Sequence, residues 1–114
     1  MSRTVIRYIH TDGPQWGILF GARIAPLQAN AATTGELLAK HWQSIWQVPA
    51  AQATIPREAV QLLAPVTQNQ QFLCQGINYR SHVLESGLRV ENFPFNTIFT
   101  KASSCITAAD APVA

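Results

Sequence analysis

Charge is what this 114-residue sequence has least of: Asp, Glu, Lys and Arg make up 12% of it, about half the level usual in globular chains. So few charges suggest that part of the surface is covered, by a partner subunit or by further chain. The eight basic and six acidic residues are dispersed, and no Lys/Arg cluster marks a phosphate-binding face, so no nucleic-acid partner is expected. Arg3 and Arg7, the most basic region, flank apolar residues and read as solvated edge charges. No apolar run approaches the roughly 18 residues of a membrane-spanning helix. The N-terminal MSRTVIRYIHTDG has no signal-peptide apolar core, so the expected location is the cytoplasm, with no membrane partner. Cysteine is scarce too: Cys74 and Cys105 are expected as free thiols, and no CxxC or Cys/His spacing speaks for zinc. Internal repeats and low-complexity tracts are also absent.

What remains is patterning. TVIRYI (Thr4–Ile9) is rich in β-branched and aromatic residues, and the turn signal TDGP follows it. QWGILF and ARIAPL surround a corner at Gly21 and predict a hairpin, with Val5–Ile9 as the third strand that a marginal hairpin needs. TTGELLAKHWQSIW predicts a helix. Thr33 followed by Glu36 fits a capping box, and the helix should end before Pro49. Leu37, Leu38, His41, Trp42 and Ile45 fall on one face at helical spacing. His41 is therefore expected to pack, and Trp42 and Trp46 to be core anchors.

Val48–Glu58 reads as a loop punctuated by Pro49 and Pro56, and an extended segment runs on to Pro65. The boundary falls in the polar stretch Thr67–Gln71. This predicts a mixed α+β, β-rich chain, with residues 1–67 as a small hairpin-plus-helix domain. Residues 68–114 begin a second β-domain that is too short for an independent core of typical size.

The second segment carries GINYRSHVLESG. Asn78 and Gly87 suit the start and the left-handed end of a short helix, and residues three apart within it share a face. Glu85 can then reach the imidazole of His82, orient it and raise its basicity. Taken alone, the same spacing more often marks an ordinary solvated polar pair.

Cys74, Gly76, Asn78, Tyr79, His82 and Glu85 together match a C-x-G-x-N-Y-x-x-H-x-x-E run. Phe99, Lys101, Ser103 and Ser104 then match a following strand and Ser-rich turn. In these motifs, and in RYIHTDGPQWGILFGARIAPL before them, the chain resembles the fumarylacetoacetate hydrolase family. Ala102 departs from the proline usual after the lysine, and TAADAPVA lacks the usual glycines. The resemblance implies the beginning of that family's catalytic β-fold. The family's substrates are small β-diketo or 2-oxo acids, which its members hydrolyse at a C–C bond, decarboxylate or isomerise. The resemblance also implies aromatic-compound catabolism, a homo-oligomer such as a dimer, and a Mg²⁺ or Mn²⁺ cofactor.

Carried over, His82 is the water-activating base and Glu85 its orienting acid. Lys101 and Tyr79 are candidates for substrate contact, and Cys74 is a buried strand residue. Gly76 lets the backbone turn between strand and helix. No E-x-E pair occurs in the sequence, so no metal ligand is assigned and the family's metal carboxylates would lie beyond Ala114. The expectation is an N-terminal portion, inactive alone. The rival reading is a non-catalytic assembly module that uses apolar strand edges.

Overall fold

The computed structural model describes residues 2–76, 84–87 and 97–113. Strands β1 (Thr4–Ile9), β2 (Gln15–Phe20) and β3 (Arg23–Pro26) pair antiparallel in sequence order. Phe20 pairs with Arg23, which leaves a two-residue turn whose first position, Gly21, has φ 60°. Two-residue hairpins favour glycine there because their backbone twist matches that of the strands.

Two short strands complete the sheet. β4 (Ile55–Pro56) pairs with β3, and β5 (Gln61–Leu63) pairs with β1, giving the order β4-β3-β2-β1-β5. The sheet's two edges are thus neighbours in sequence, joined through a 3₁₀ turn at Arg57–Ala59. Five flat strands would set those edges about 19 Å apart, more than so short a coiled connection comfortably spans. The sheet therefore curls.

Helix α1 (Thr34–Gln47) packs on one face of this sheet. Its Leu37 and Ile45 meet Trp16, Ile18, Ala25 and Leu27, with Val48 closing the end. Each fully buried Leu or Ile is worth about 1.5–3 kcal/mol. The Trp16 indole N–H donates to the Ala31 carbonyl at 2.8 Å, so burying this side chain leaves no polar atom unpaired. On the other face Tyr8 and Ile24 are fully buried. A Cβ on Gly17 would stand 2.8 Å from Ile24 and 2.9 Å from the Tyr8 ring, so glycine makes the room that this ring fills.

The capping box forms. The Glu36 N–H donates to the Thr33 hydroxyl at 3.2 Å, while the Glu36 carboxylate accepts from the Ala32 N–H at 2.9 Å. Thr34 and Thr67 tie the same end down. The Thr34 hydroxyl accepts from the Thr67 N–H and donates to the Pro65 carbonyl, and the Thr67 hydroxyl donates to Asn69.

Several expectations are corrected. Trp42 and Trp46 are not core anchors: they are 53% and 40% exposed, and Leu38 is 48% exposed. Apolar residues cover more than one side of α1, and the sheet takes the Leu37/Ile45 side. His41 is half-buried at a kink, with φ −124° and ψ 15°. Arg3 and Arg7 are half-buried rather than solvated. Arg3 donates to the carbonyls of Val48 (2.8 Å) and Trp46 (3.0 Å) and lies over the Phe20 ring. Arg7 lies over the ring of Trp16, its cross-strand partner. Both gain from apolar stems and ring faces that edge residues would not meet.

The chain divides into two compact units, Met1–Gln70 with Ile106–Ala114, and Gln71–Cys105. The break after Gln70 falls within the polar stretch Thr67–Gln71, three residues past 67/68, whereas the C-terminal segment Ile106–Ala114 lies with the first unit rather than the second. In the second unit, β6 (Phe72–Gly76) pairs antiparallel with β7 (Thr97–Lys101) as a two-stranded sheet.

Candidate active-site segment

Of the residues expected to carry the chemistry or shape its surroundings, Cys74 and Gly76 lie on β6 and Lys101 on β7. Cross-strand register sets Phe72 opposite Lys101, Cys74 opposite Phe99 and Gly76 opposite Thr97. Period-2 alternation then puts these six on one side of the pair, with Leu73, Gln75, Ile98 and Thr100 on the other. Cys74 is half-buried on the first side, and both cysteines are free thiols. Lys101 is exposed at the end of β7. Gly76 ends β6 without a positive φ, and a Cβ there would make ordinary contacts of 3.5 Å or more to Phe99 and Thr97. It is the last described residue of β6, and the turn expected after it lies outside the described residues.

His82 and Tyr79, the candidate base and pocket residue, lie outside the described residues, as does Asn78. Glu85 is described and exposed, in a helical turn that Gly87 closes. The Gly87 N–H donates to the Leu84 carbonyl at 3.1 Å, and Gly87 has φ 71°. That is the left-handed termination the sequence predicts there. Among the described residues no ion pair joins Glu85 to Lys101, and no three His, Cys, Asp or Glu side chains gather to hold a metal ion.

A groove of about 490 Å³ opens at the N-terminal end of α1, lined by Arg7, Thr33, Thr67, Gln68, Asn69 and Thr107 among others. It offers one cation. The Thr33 hydroxyl is already spent on capping α1, and the Thr67 hydroxyl accepts from the Thr34 N–H and donates to Asn69. Sequence reasoning missed Thr34 and Thr67 as partners, since they are 33 residues apart and no local signal joins them.

Comparison with known proteins adds the following. Residues 4–65 match the family model described as Rv2993c-like, N-terminal. The Bos taurus protein named oxaloacetate tautomerase FAHD2A, mitochondrial, is 33% identical over 107 residues, covering 85% of this chain and 33% of its own length. The Rattus norvegicus protein named oxaloacetate tautomerase Fahd2a, mitochondrial, is 46% identical over 52 residues, 46% of this chain and 16% of its own. The Xenopus laevis protein named oxaloacetate tautomerase fahd2, mitochondrial, is 36% identical over 62 residues, 54% of this chain and 19% of its own. The chain thus spans a third or less of the length of the curated relatives it matches. No helix among the described residues is long and apolar enough to cross a membrane.

Proposed function

Because the chain belongs to the fumarylacetoacetate hydrolase family, with an Rv2993c-like N-terminal domain, we propose that it supplies the N-terminal part of an enzyme acting on 2-oxo or β-diketo acids. The alignment with the bovine protein carries this reading, because it runs through both the curled-sheet unit and the motif segment. The family's reactions include C–C hydrolysis and decarboxylation, as in aromatic-compound catabolism. The names of the relatives favour isomerisation, the keto–enol interconversion of a 2-oxo diacid such as oxaloacetate. That reaction needs little machinery. A base takes a proton from the carbon beside the ketone while the carbonyl oxygen gains one, and no C–C bond breaks.

In this reading His82 is the base and Glu85 fixes its tautomer. Lys101 and Tyr79 contact the acid, Lys101 by stabilising negative charge as the enolate forms. Among the described residues no donor set for the family's Mg²⁺ or Mn²⁺ is gathered. The described residues bring no three ligating groups together, and the sequence has no E-x-E pair. No step is therefore assigned to a metal held by these residues, and the 114 residues alone are proposed to be inactive. A homo-oligomer and a cytoplasmic location belong to the same proposal, although the relatives named above are mitochondrial.

The test joins the chain to the rest of the bovine protein, in place of the aligned stretch, and follows oxaloacetate tautomerisation. The hybrid should be active, the 114 residues alone should not, and His82→Ala should abolish the hybrid's activity. Full activity in that variant would remove His82 from the mechanism.

One observation favours a second reading, a non-catalytic assembly module. Leu73 and Ile98, on the same side of the β6–β7 sheet, are 61% and 69% exposed. Two strands with apolar side chains in water suit strand addition by a partner.

A further inference from the structure

The loop that joins β1 to β2 carries Asp12 and Gly13 at its centre, and every residue from His10 to Pro14 is exposed. Neither the Asp12 carboxylate nor the Gly13 N–H has a hydrogen-bond or ion-pair partner among the described residues. A Cβ on Gly13 would meet nothing within 4 Å, and neither residue has a positive φ. An unhindered backbone nitrogen thus follows directly on a carboxyl group that nothing holds back. We propose that Asp12 isomerises to isoaspartate in the folded protein, and that the product is a methyl-acceptor site for an S-adenosylmethionine-dependent carboxyl methyltransferase.

The isomerisation needs no reactant but water. The Gly13 nitrogen attacks Cγ of the protonated carboxyl group, and the new N–Cγ bond closes a five-membered succinimide as water leaves. Water then opens either ring carbonyl. Breaking the N–Cγ bond restores aspartate. Breaking the bond from the nitrogen to the Asp12 main-chain carbonyl carbon leaves the backbone running through the side chain. The isoaspartyl residue so formed keeps the composition of the parent and bears a free α-carboxylate. Methylation moves a methyl group from the cofactor's sulfonium sulfur to that carboxylate and leaves the thioether S-adenosylhomocysteine. Two other candidate positions are held. Asp110 precedes Ala111, whose N–H donates to the Ala108 carbonyl at 3.4 Å, and the Asn69 side-chain oxygen accepts from the Thr67 hydroxyl. Tyr8 and Gln15, the last β1–β2 pair, lie outside the loop, so an added backbone carbon there leaves the ladder paired. The inference rests on the loop alone and stands apart from the enzymatic reading.

Incubation of the 114-residue chain for weeks in neutral buffer at body temperature tests it. An isoaspartyl methyltransferase with radiolabelled S-adenosylmethionine then reports the product, and peptide mapping places it. Label should gather in the peptide that holds Asp12, several-fold above the peptide that holds Asp110. In heavy-oxygen water the modified peptide should gain heavy oxygen from the ring opening. Gly13→Ala should cut the label several-fold, because a Cβ hinders the attack, and the open space at Gly13 lets the variant keep its fold. Circular dichroism checks that it does. The native chain should isomerise within a few-fold of its rate in urea, as a free loop would. Label at Asp12 no greater than at Asp110, or unchanged by Gly13→Ala, would overturn the proposal. So would isoaspartate that mapping finds and the enzyme leaves unlabelled. Native isomerisation an order of magnitude slower than in urea would also overturn it, since the fold would then protect Asp12.

Discussion

Tyr8 shows how one residue can be well packed and still carry an unmet cost. Its ring fills the space above Gly17, yet its buried hydroxyl has no hydrogen-bond partner among the described residues. A buried hydroxyl without a partner costs about 1–3 kcal/mol. Tyr8→Phe keeps the ring and removes that cost, so the variant is expected to be at least as stable as the parent in urea denaturation. Burial also raises the hydroxyl's pKa above the ordinary tyrosine value, because an anion there would be desolvated. Below pH about 10 both folded and unfolded chains keep the proton, and the group adds no pH dependence. Above it the unfolded chain loses the proton first, so stability falls as pH rises. Tyr8→Phe should flatten that alkaline decline. An unchanged decline would place its origin in other groups.

At the scale of elements, the signals that proved legible were local ones. Thr33 and Glu36 are three residues apart and formed the predicted box. Gly21 and Gly87 took the positive φ that their turns need, and α1 ended before Pro49. What periodicity left open was which apolar side of α1 would be buried. Leu37 and Leu38 are adjacent in sequence, and only packing against Trp16, Ile18 and Ala25 chose between them. β4 was equally hidden, because a strand of two residues exists only through the partner it finds, whereas β5 lies in the segment read as extended. Arg3 is the clearest non-local case. The last turn of α1 has no basic residue of its own, and Arg3 reaches its final carbonyls from more than 40 residues away. A cation there complements the negative end of the helix dipole. Arg3→Gln should therefore cost about 1 kcal/mol, at the low end for a charged donor because the site is partly exposed. Thermal unfolding measures this, and high salt should shrink the difference.

For the whole molecule, the two units differ in how well they account for themselves. The first has a five-stranded sheet, a helix and a buried apolar core, and it contains the segment that matches the family model. The second has two strands whose apolar residues are largely exposed, an arrangement of marginal stability in water. The motif that made the family legible sits on this second unit. Its physical meaning is harder to read, because a dyad acts only within a complete site. No three ligating groups are assembled among the described residues, and the proposal places the carboxylates that would hold a hard divalent cation alongside its waters in the remainder of the enzyme. Titration calorimetry of the isolated chain with Mg²⁺ should therefore show no saturable heat, whereas the hybrid with the bovine remainder should show one site that survives His82→Ala. Saturable binding by the isolated chain would mean that these residues build a metal site themselves, and the inactive-alone proposal would fail with it.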